Sequence, residues 1–346
     1  MHHLLPMGFG PHFLRQLSAD ELDDPPIGRV RFAAHGRVRL LTRSGEHPAL
    51  LEGPLRDPDD PVVVGDWVRF RPGDPPIVEA RLERTGVLRR RDPDGGAQVV
   101  AANVDIALVC TALGRDLNPR RLERWIAVAE DAGADPVVVV TKVDGESDAA
   151  AAVALVRSVT QAEVVPVSAV TDRGREALLA ALPAGRTAAL LGSSGVGKST
   201  LLNWLVGAEA QATGAIRADE RGRHTTTARH LLALPNGAWV IDNPGTRQVG
   251  PLDAGAVDAA FPDLDALASA CRFRDCGHVD EPGCAVLAAV ASCGLDPARL
   301  ASWRKLRREV AWEARREDPR ARAAERDRWK RIHESARRAR RESDRD

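Results

Sequence analysis

The chain has 346 residues, 44% hydrophobic and 28% charged, with 49 Lys and Arg against 49 Asp and Glu. That is enough apolar matter for buried cores and excludes a disordered chain. No run reaches the roughly 18–20 apolar residues of a membrane span, and Met1 to Gly10 lacks the charged start and long apolar stretch of a secretory signal, so the chain reads as cytoplasmic.

Residues 1–27 read as a loose leader. From 28 to 96, short alternating segments at 29–32, 37–41 and 62–70, separated by turn-rich connections, predict a small β-barrel. The cluster Asp92-Pro93-Asp94-Gly95-Gly96 marks its end.

The texture changes over residues 97–251. Near-continuous apolar runs at 104–110, 136–140, 164–167, 188–191 and 239–241 alternate with helical patterns, which predicts a parallel sheet covered on both faces. One helix announces itself by Asn118 as a cap, Pro119 in its first turn, and Leu122, Trp125, Ile126 and Ala129 along one face.

Five motifs sit at the ends of these strands. Thr141-Lys142-Val143-Asp144 is a variant of the N-K-x-D guanine-reading motif, in which the Asp144 carboxylate can accept both the ring N–H and the exocyclic amine of guanine. Threonine in place of asparagine keeps a hydroxyl but lacks the amide, which predicts softer base affinity. Ser168-Ala169 has the position of the short loop that closes over the base.

Gly192-Ser193-Ser194-Gly195-Val196-Gly197-Lys198-Ser199 matches G-x-x-x-x-G-K-S between a strand and a helix. Its glycines let backbone N–H groups turn toward phosphate, Lys198 supplies charge to the β- and γ-phosphates, and Ser199 ligates Mg²⁺. Thr200 follows in the same nucleotide-contacting segment.

Gly222-Arg223-His224-Thr225-Thr226-Thr227 suits a switch loop in which Thr226 reaches Mg²⁺ and the γ-phosphate. Val240-Ile241-Asp242-Asn243-Pro244-Gly245 places Asp242 toward Mg²⁺ and the Gly245 N–H toward the γ-phosphate. The next residue is Thr246, where many GTPases carry a water-orienting glutamine. His224 is the candidate replacement.

The order is rotated: the guanine motif precedes the phosphate loop, as when one sheet is cut at one loop and rejoined at another. The second switch then leads directly into residues 252–310, so that region is expected to move with the nucleotide state. Its Cys271-x4-Cys276-x-His278-x5-Cys284 offers three thiolates and an imidazole, a closed tetrahedral set for one structural Zn²⁺. Few large apolar residues surround it, so the metal is expected to stand in for a core. Cys110 reads as a core residue and Cys293 as a spare. Residues 311–346 form a basic helical tail, and from Arg299 onward 18 Lys and Arg face 10 Asp and Glu. That end could meet a polyanion or be a solvated, self-paired helix.

Together the rotated order, Gly192–Ser199, the 222–227 loop, 242–245 and Cys271/Cys276/His278/Cys284 resemble the ribosome small subunit-dependent GTPase A family (RsgA, also called YjeQ). The resemblance runs from about Val30 to about Lys305. It implies an OB-like β-barrel, a circularly permuted α/β P-loop GTPase domain and an α-helical zinc-binding domain. It implies GTP hydrolysis stimulated by the small ribosomal subunit during late maturation, with GTP/GDP, that subunit and its rRNA as partners and no membrane. A monomer is expected. Arg29, Arg31, Arg37, Arg39, Arg69 and Arg71 would give the barrel basic positions for RNA. Asn243 and Thr246 depart from the family's commoner residues. Two other readings stay open: a GTPase supporting RNA modification, and an RNA-binding assembly protein that switches between GTP and GDP forms with negligible turnover.

Overall fold

The fold was obtained as a computed structural model that describes residues 3–23, 25–34, 37–57, 60–91, 97–114, 116–144, 149–207, 229–242 and 253–317. Strands β1 (Ile27–Ala34), β2 (Arg37–Thr42), β3 (Gly45–Leu51), β4 (Trp67–Arg71) and β5 (Ile77–Arg81) form the N-terminal barrel. They pair in the order β1-β2-β3-β5-β4, and β4 returns to β1 to close the sheet. All pairings are antiparallel except β3 with β5. Alternation does the sorting: in β2 Val38 and Leu40 are buried while Arg37 and Arg39 face out. Val30, Val38, Leu40, Ala49, Val62, Val68 and Val78 fill the interior.

Residues 62–64, expected as strand, are buried without joining one, and β3 and β5 were missed because Pro48, Pro75 and Pro76 interrupt their neighbourhoods. β6 (Val87–Arg91) pairs with β7 (Ala97–Ala102) as a separate hairpin. The expected boundary at 92–96 lies outside the described residues. A Cβ on Gly65, whose φ is +92°, would sit 2.1 Å from the Ala102 carbonyl oxygen, so barrel and hairpin approach more closely than a side chain allows.

The leader is not loose. A turn at Leu5–Met7 and helix α1 (Pro11–Leu14) bury Leu4, Met7, Phe9 and Phe13 against Ile27, Trp67 and Leu82. Phe9 meets Trp67 edge-on at 4.8 Å. The Trp239 indole donates to the Pro6 carbonyl at 2.8 Å. Arg29 is only 1% exposed and donates to Met7 O and, at 2.6 Å, to Thr187 Oγ1. It joins leader, barrel and central sheet and is unavailable to RNA, a correction to its expected surface role.

The central domain carries β8 (Ile106–Ala112), α2 (Pro119–Asp131), β9 (Asp135–Thr141), α3 (Ala149–Val159) and β10 (Glu163–Pro166). It continues with α4 (Arg175–Ala180), β11 (Thr187–Leu191), α5 (Lys198–Val206), β12 (Arg229–Ala233) and β13 (Trp239–Asp242). The sheet order is β10-β9-β8-β11-β13-β12, parallel except for β12. Every residue of β8 and β11 is buried, as expected where helices cover both faces. Phe32 and Ala33 of β1 pair with His230 and Arg229 of β12, so barrel and central sheet are hydrogen-bonded into one surface.

Helices α6 (Ala254–Ala259), α7 (Pro262–Ala268), α8 (Ala285–Ala291) and α9 (Pro297–Glu317) follow. Val257, Phe261, Leu264, Val286, Leu300, Leu306 and Val310 share one core with Leu122, Ile126 and Val138 of the central domain. The C-terminal module thus borrows a core, contrary to the expectation that metal alone would substitute for one.

Candidate nucleotide site and metal centre

Parallel strands deliver their carboxyl ends to one edge of a sheet, where α/β proteins bind ligands. Here β10, β9, β11 and β13 bring Ser168-Ala169, Thr141–Asp144, the phosphate loop and Asp242 to that edge. The spatial order puts the guanine motifs on one side of the phosphate loop and Asp242 on the other.

The phosphate loop is pressed onto its neighbour. A Cβ on Gly192 (φ +133°) would lie 2.4 Å from the Cys110 carbonyl oxygen, so only glycine permits that approach. Gly197, left-handed at φ +96°, starts α5, which is anchored by buried Leu201, Leu202, Leu205 and Val206. Ser194, Gly195, Ser199 and Thr200 are exposed on the open side, while Val196 is buried. The Lys198 ammonium donates to Gly192 O at 2.8 Å and Ser193 O at 2.7 Å. Burial lowers its pKa, and the carboxylates of Asp116 and Asp242 oppose that shift only in part. Asp242 and Lys198 thus feel each other across the site. Cys110, pushed up to about 12 by burial, is a neutral thiol in the wall.

The guanine motif is lashed to this loop. Thr141 is buried, and its hydroxyl lies 2.6 Å from Val196 O and 3.3 Å from Thr111 O. It braces the phosphate loop through that hydroxyl. Lys142, at φ +61°, donates from Nζ to Gly195 O at 3.0 Å. Val143 N donates to Val167 O at 3.3 Å. Asp144 is exposed, and the Ser168 hydroxyl holds its carboxyl below the ordinary range. Ser168 itself is buried, with Thr171 N donating to its Oγ at 3.2 Å; Ala169 is half-buried beside it.

Asn118 caps α2, its Oδ1 accepting from Arg120 N and Arg121 N at 3.0 and 3.3 Å. Two residues at this edge escaped sequence reasoning. Asp116 accepts from Arg121 Nη1 at 2.6 Å, and the same nitrogen reaches Ser193 Oγ at 3.3 Å. The available signal was their place, directly after an apolar strand and around a helix cap. His224, Thr225, Thr226, Thr227, Asn243, Gly245 and Thr246 lie outside the described residues, as does the tail beyond 317.

In the C-terminal module the Cys271, Cys276, His278 and Cys284 ligand atoms all lie within 4.8 Å of one another. Tetrahedral zinc with ordinary bond lengths separates two sulfurs by about 3.8 Å and sulfur from nitrogen by about 3.6 Å. The structure has Cys271 Sγ 3.9 Å from Cys284 Sγ, and His278 Nδ1 at 3.6 and 3.4 Å from those two sulfurs. The set fits. His278 adopts φ +56° to reach it, and Cys284 begins α8 with Leu287 N donating to its sulfur at 3.4 Å. Cys293 is exposed and outside the cluster.

A sequence profile described as RsgA GTPase matches residues 81–251. A relative from Opitutus terrae, named small ribosomal subunit biogenesis GTPase RsgA, is 50% identical over 79% of both chains. The chain belongs to the RsgA GTPase family. A Streptomyces coelicolor relative of the same name is 45% identical over 88% of this chain and 86% of its own. The crystal structure of YjeQ from Thermotoga maritima superposes with a TM-score of 0.64 at 26% identity, covering 83% of this chain and 98% of that one. YloQ, described as a circularly permuted GTPase, has the same fold (TM-score 0.60, 24% identity). The profile match contains every nucleotide motif from Thr141 to Gly245.

Proposed function

We propose that this protein is a GTP hydrolase stimulated by the small ribosomal subunit and acting in that subunit's late maturation. The observation that carries the reading is the convergence of phosphate loop, guanine motif and Asp242 on one sheet edge, in a family whose members are named for small-subunit biogenesis.

Lys198 turns from the carbonyls of Gly192 and Ser193 to the β- and γ-phosphates, an exchange of neutral acceptors for anionic ones. Backbone N–H groups of 192–199 and the start of α5 hold the phosphates. Asp144 and Ser168-Ala169 select guanine, with Thr141 and Lys142 fixing the distance between base and phosphate sites. Ser199 and Asp242 would hold Mg²⁺, which would supply positive charge to the β- and γ-oxygens. Thr226 and Gly245 serve as switch contacts and His224 as the water-positioner. Cys271, Cys276, His278 and Cys284 hold one structural zinc. The barrel and the module meet rRNA, and the protein works in the cytoplasm as a monomer, as suits a partner of the small subunit.

The test is GTP turnover with and without purified small subunits. Stimulation of orders of magnitude is expected; no stimulation favours a switch with negligible turnover. Lys198→Ala should abolish turnover, and surviving activity would refute the phosphate-loop assignment.

A further inference from the structure

In GTP hydrolysis negative charge is spread over the transferring phosphoryl oxygens in the transition state, and a cation placed there beyond the loop lysine and the magnesium accelerates the step. Among the described residues the site holds a further cation that no motif accounts for. Arg121 stands in the first turn of α2, where the capped helix fixes its Cα. Its Nη1 bonds Ser193 Oγ at 3.3 Å, and Lys198 bonds the carbonyl of that same residue at 2.7 Å. Two cations therefore converge on one phosphate-loop residue, one at its side chain and one at its carbonyl.

What restrains Arg121 is weak. Its partner Asp116 is 2.6 Å away, but the arginine side chain is 43% exposed, and such pairs in water are easily exchanged. Asp116 keeps other partners when the arginine leaves, since Thr111 Oγ1 and Ala112 N also donate to its Oδ2, at 3.4 and 3.3 Å. Among the described residues, Nε and Nη2 of Arg121 have no hydrogen-bond partner, so one edge of the guanidinium remains to be used.

We infer that Arg121 is a catalytic arginine supplied in cis, which contacts the γ-phosphoryl oxygens of GTP once the triphosphate fills the loop. The inference rests on the GTPase reading above. In the step it assists, the water oxygen bonds to the γ-phosphorus while the bond to the β–γ bridging oxygen breaks. The electron pair leaves with GDP, and the water's protons are shared by the phosphate product and solvent. Arg121 moves no proton; it neutralises charge on the transferring group. Asp116 is the parking place that holds it beside the loop between turnovers.

The experiment compares wild type, Arg121→Ala and Arg121→Lys as full-length, zinc-loaded protein. Three quantities are read: GDP affinity, GTP turnover with saturating small subunits, and capture of GDP with aluminium fluoride, which mimics the transferring phosphoryl group. Arg121→Ala should keep GDP affinity within about twofold, as GDP lacks the γ-phosphate. It should lose stimulated turnover by about 10²-fold or more and lose the fluoride complex. Arg121→Lys should recover little, because a point charge does not reproduce the planar fork. Turnover within twofold of wild type in Arg121→Ala overturns the assignment. So does a parallel fall in GDP affinity and turnover in both variants, which marks a merely structural residue. Wild type that binds no GDP and hydrolyses no GTP removes the GTPase reading itself, and this inference with it.

Discussion

Removing Arg299 should unclasp the C-terminal module from the central domain. This side chain is 11% exposed and makes four polar contacts across three elements. Nη1 donates to Glu123 Oε1 at 2.8 Å and Val159 O at 3.1 Å, while Nε and Nη2 grip Asp263 at 2.6 Å each. The guanidinium also lies 4.7 Å from the Phe261 ring centre. Glu123 is 2% exposed, and burial already raises its pKa despite the arginine. Breaking a buried pair by removing one partner strands the other charge, at a cost of about 3–5 kcal/mol. Arg299→Ala should therefore lose about that much, read as the shift in urea midpoint of tryptophan fluorescence at pH 7. Adding Glu123→Gln should return about 1–3 kcal/mol, because a neutral amide is cheaper to bury. The pH dependence has a definite sign. A carboxyl whose folded pKa is raised is tolerated when protonated, so the Arg299→Ala deficit shrinks toward acid and grows as pH rises. A loss below about 1 kcal/mol, or a double variant no better than the single one, would refute the reasoning.

Thr141→Val keeps shape but leaves the Val196 carbonyl without its 2.6 Å donor; GDP affinity should fall about 5- to 30-fold, for a bond worth about 1–2 kcal/mol. Unchanged affinity, measured by titration of a fluorescent GDP, would remove the bracing role. Stripping zinc with a chelator, or replacing Cys284 with Ser, should lower the melting temperature by at least about 5 °C through loss of the module's folding energy; a melting curve indifferent to chelation rules the structural metal out. Glu21, its carboxyl brought down to about 2 mainly by the 2.6 Å bond from Arg69, stabilises above the ordinary glutamate range and stops doing so as pH falls through about 2. Wild type should lead Glu21→Gln by about 1 kcal/mol at pH 6 and lose that lead in acid. Amide exchange in α9 should differ between GTP- and GDP-bound protein, and identical protection would show the module to be uncoupled.

The nucleotide edge was legible because its parts are local: a glycine-rich loop, a T-K-x-D and a D-x-P-G each sit within a few residues at the end of an apolar strand. Cys271 to Cys284 was legible for the same reason. What escaped depends on partners far away in sequence. Arg29 reads as one of six alternating barrel arginines, yet its bond to Thr187 crosses 158 positions and takes it into the interior. The leader's Leu4, Phe9 and Phe13 have no periodicity to advertise burial, and their partners include Trp67 and Leu82, far along the chain. Thr141 matched its motif, but the direction of its hydroxyl follows from the phosphate loop lying beside β9's end and not from the motif. β12, Arg229–Ala233, is too short and too mixed to stand out, although it is the strand that carries the sheet into the barrel.

The rotated order suggested that the connection after Asp242 is what ties the nucleotide to the C-terminal module. Helix α2 provides a second and better-defined tie. Its first turn touches the phosphate loop through Arg121 and Ser193. Its next residues, Glu123 and Arg124, bind Arg299 and Glu309 of α9, the latter at 2.6 Å. Thirteen residues at 1.5 Å each make a rod about 20 Å long, and Leu122, Trp125, Ile126 and Ala129 seat it in the shared core. Such a rod transmits displacement because close-packed cores shift as units and do not deform smoothly. Moving Arg121 from Asp116 to a phosphoryl oxygen would act on the end of this rod, and the Glu123 and Arg124 contacts lie two and three residues further along it, within one turn. The catalytic arginine and the clasp to the metal-binding module are thus neighbours on one helix, and the permuted order is what places that helix ahead of the phosphate loop in the chain.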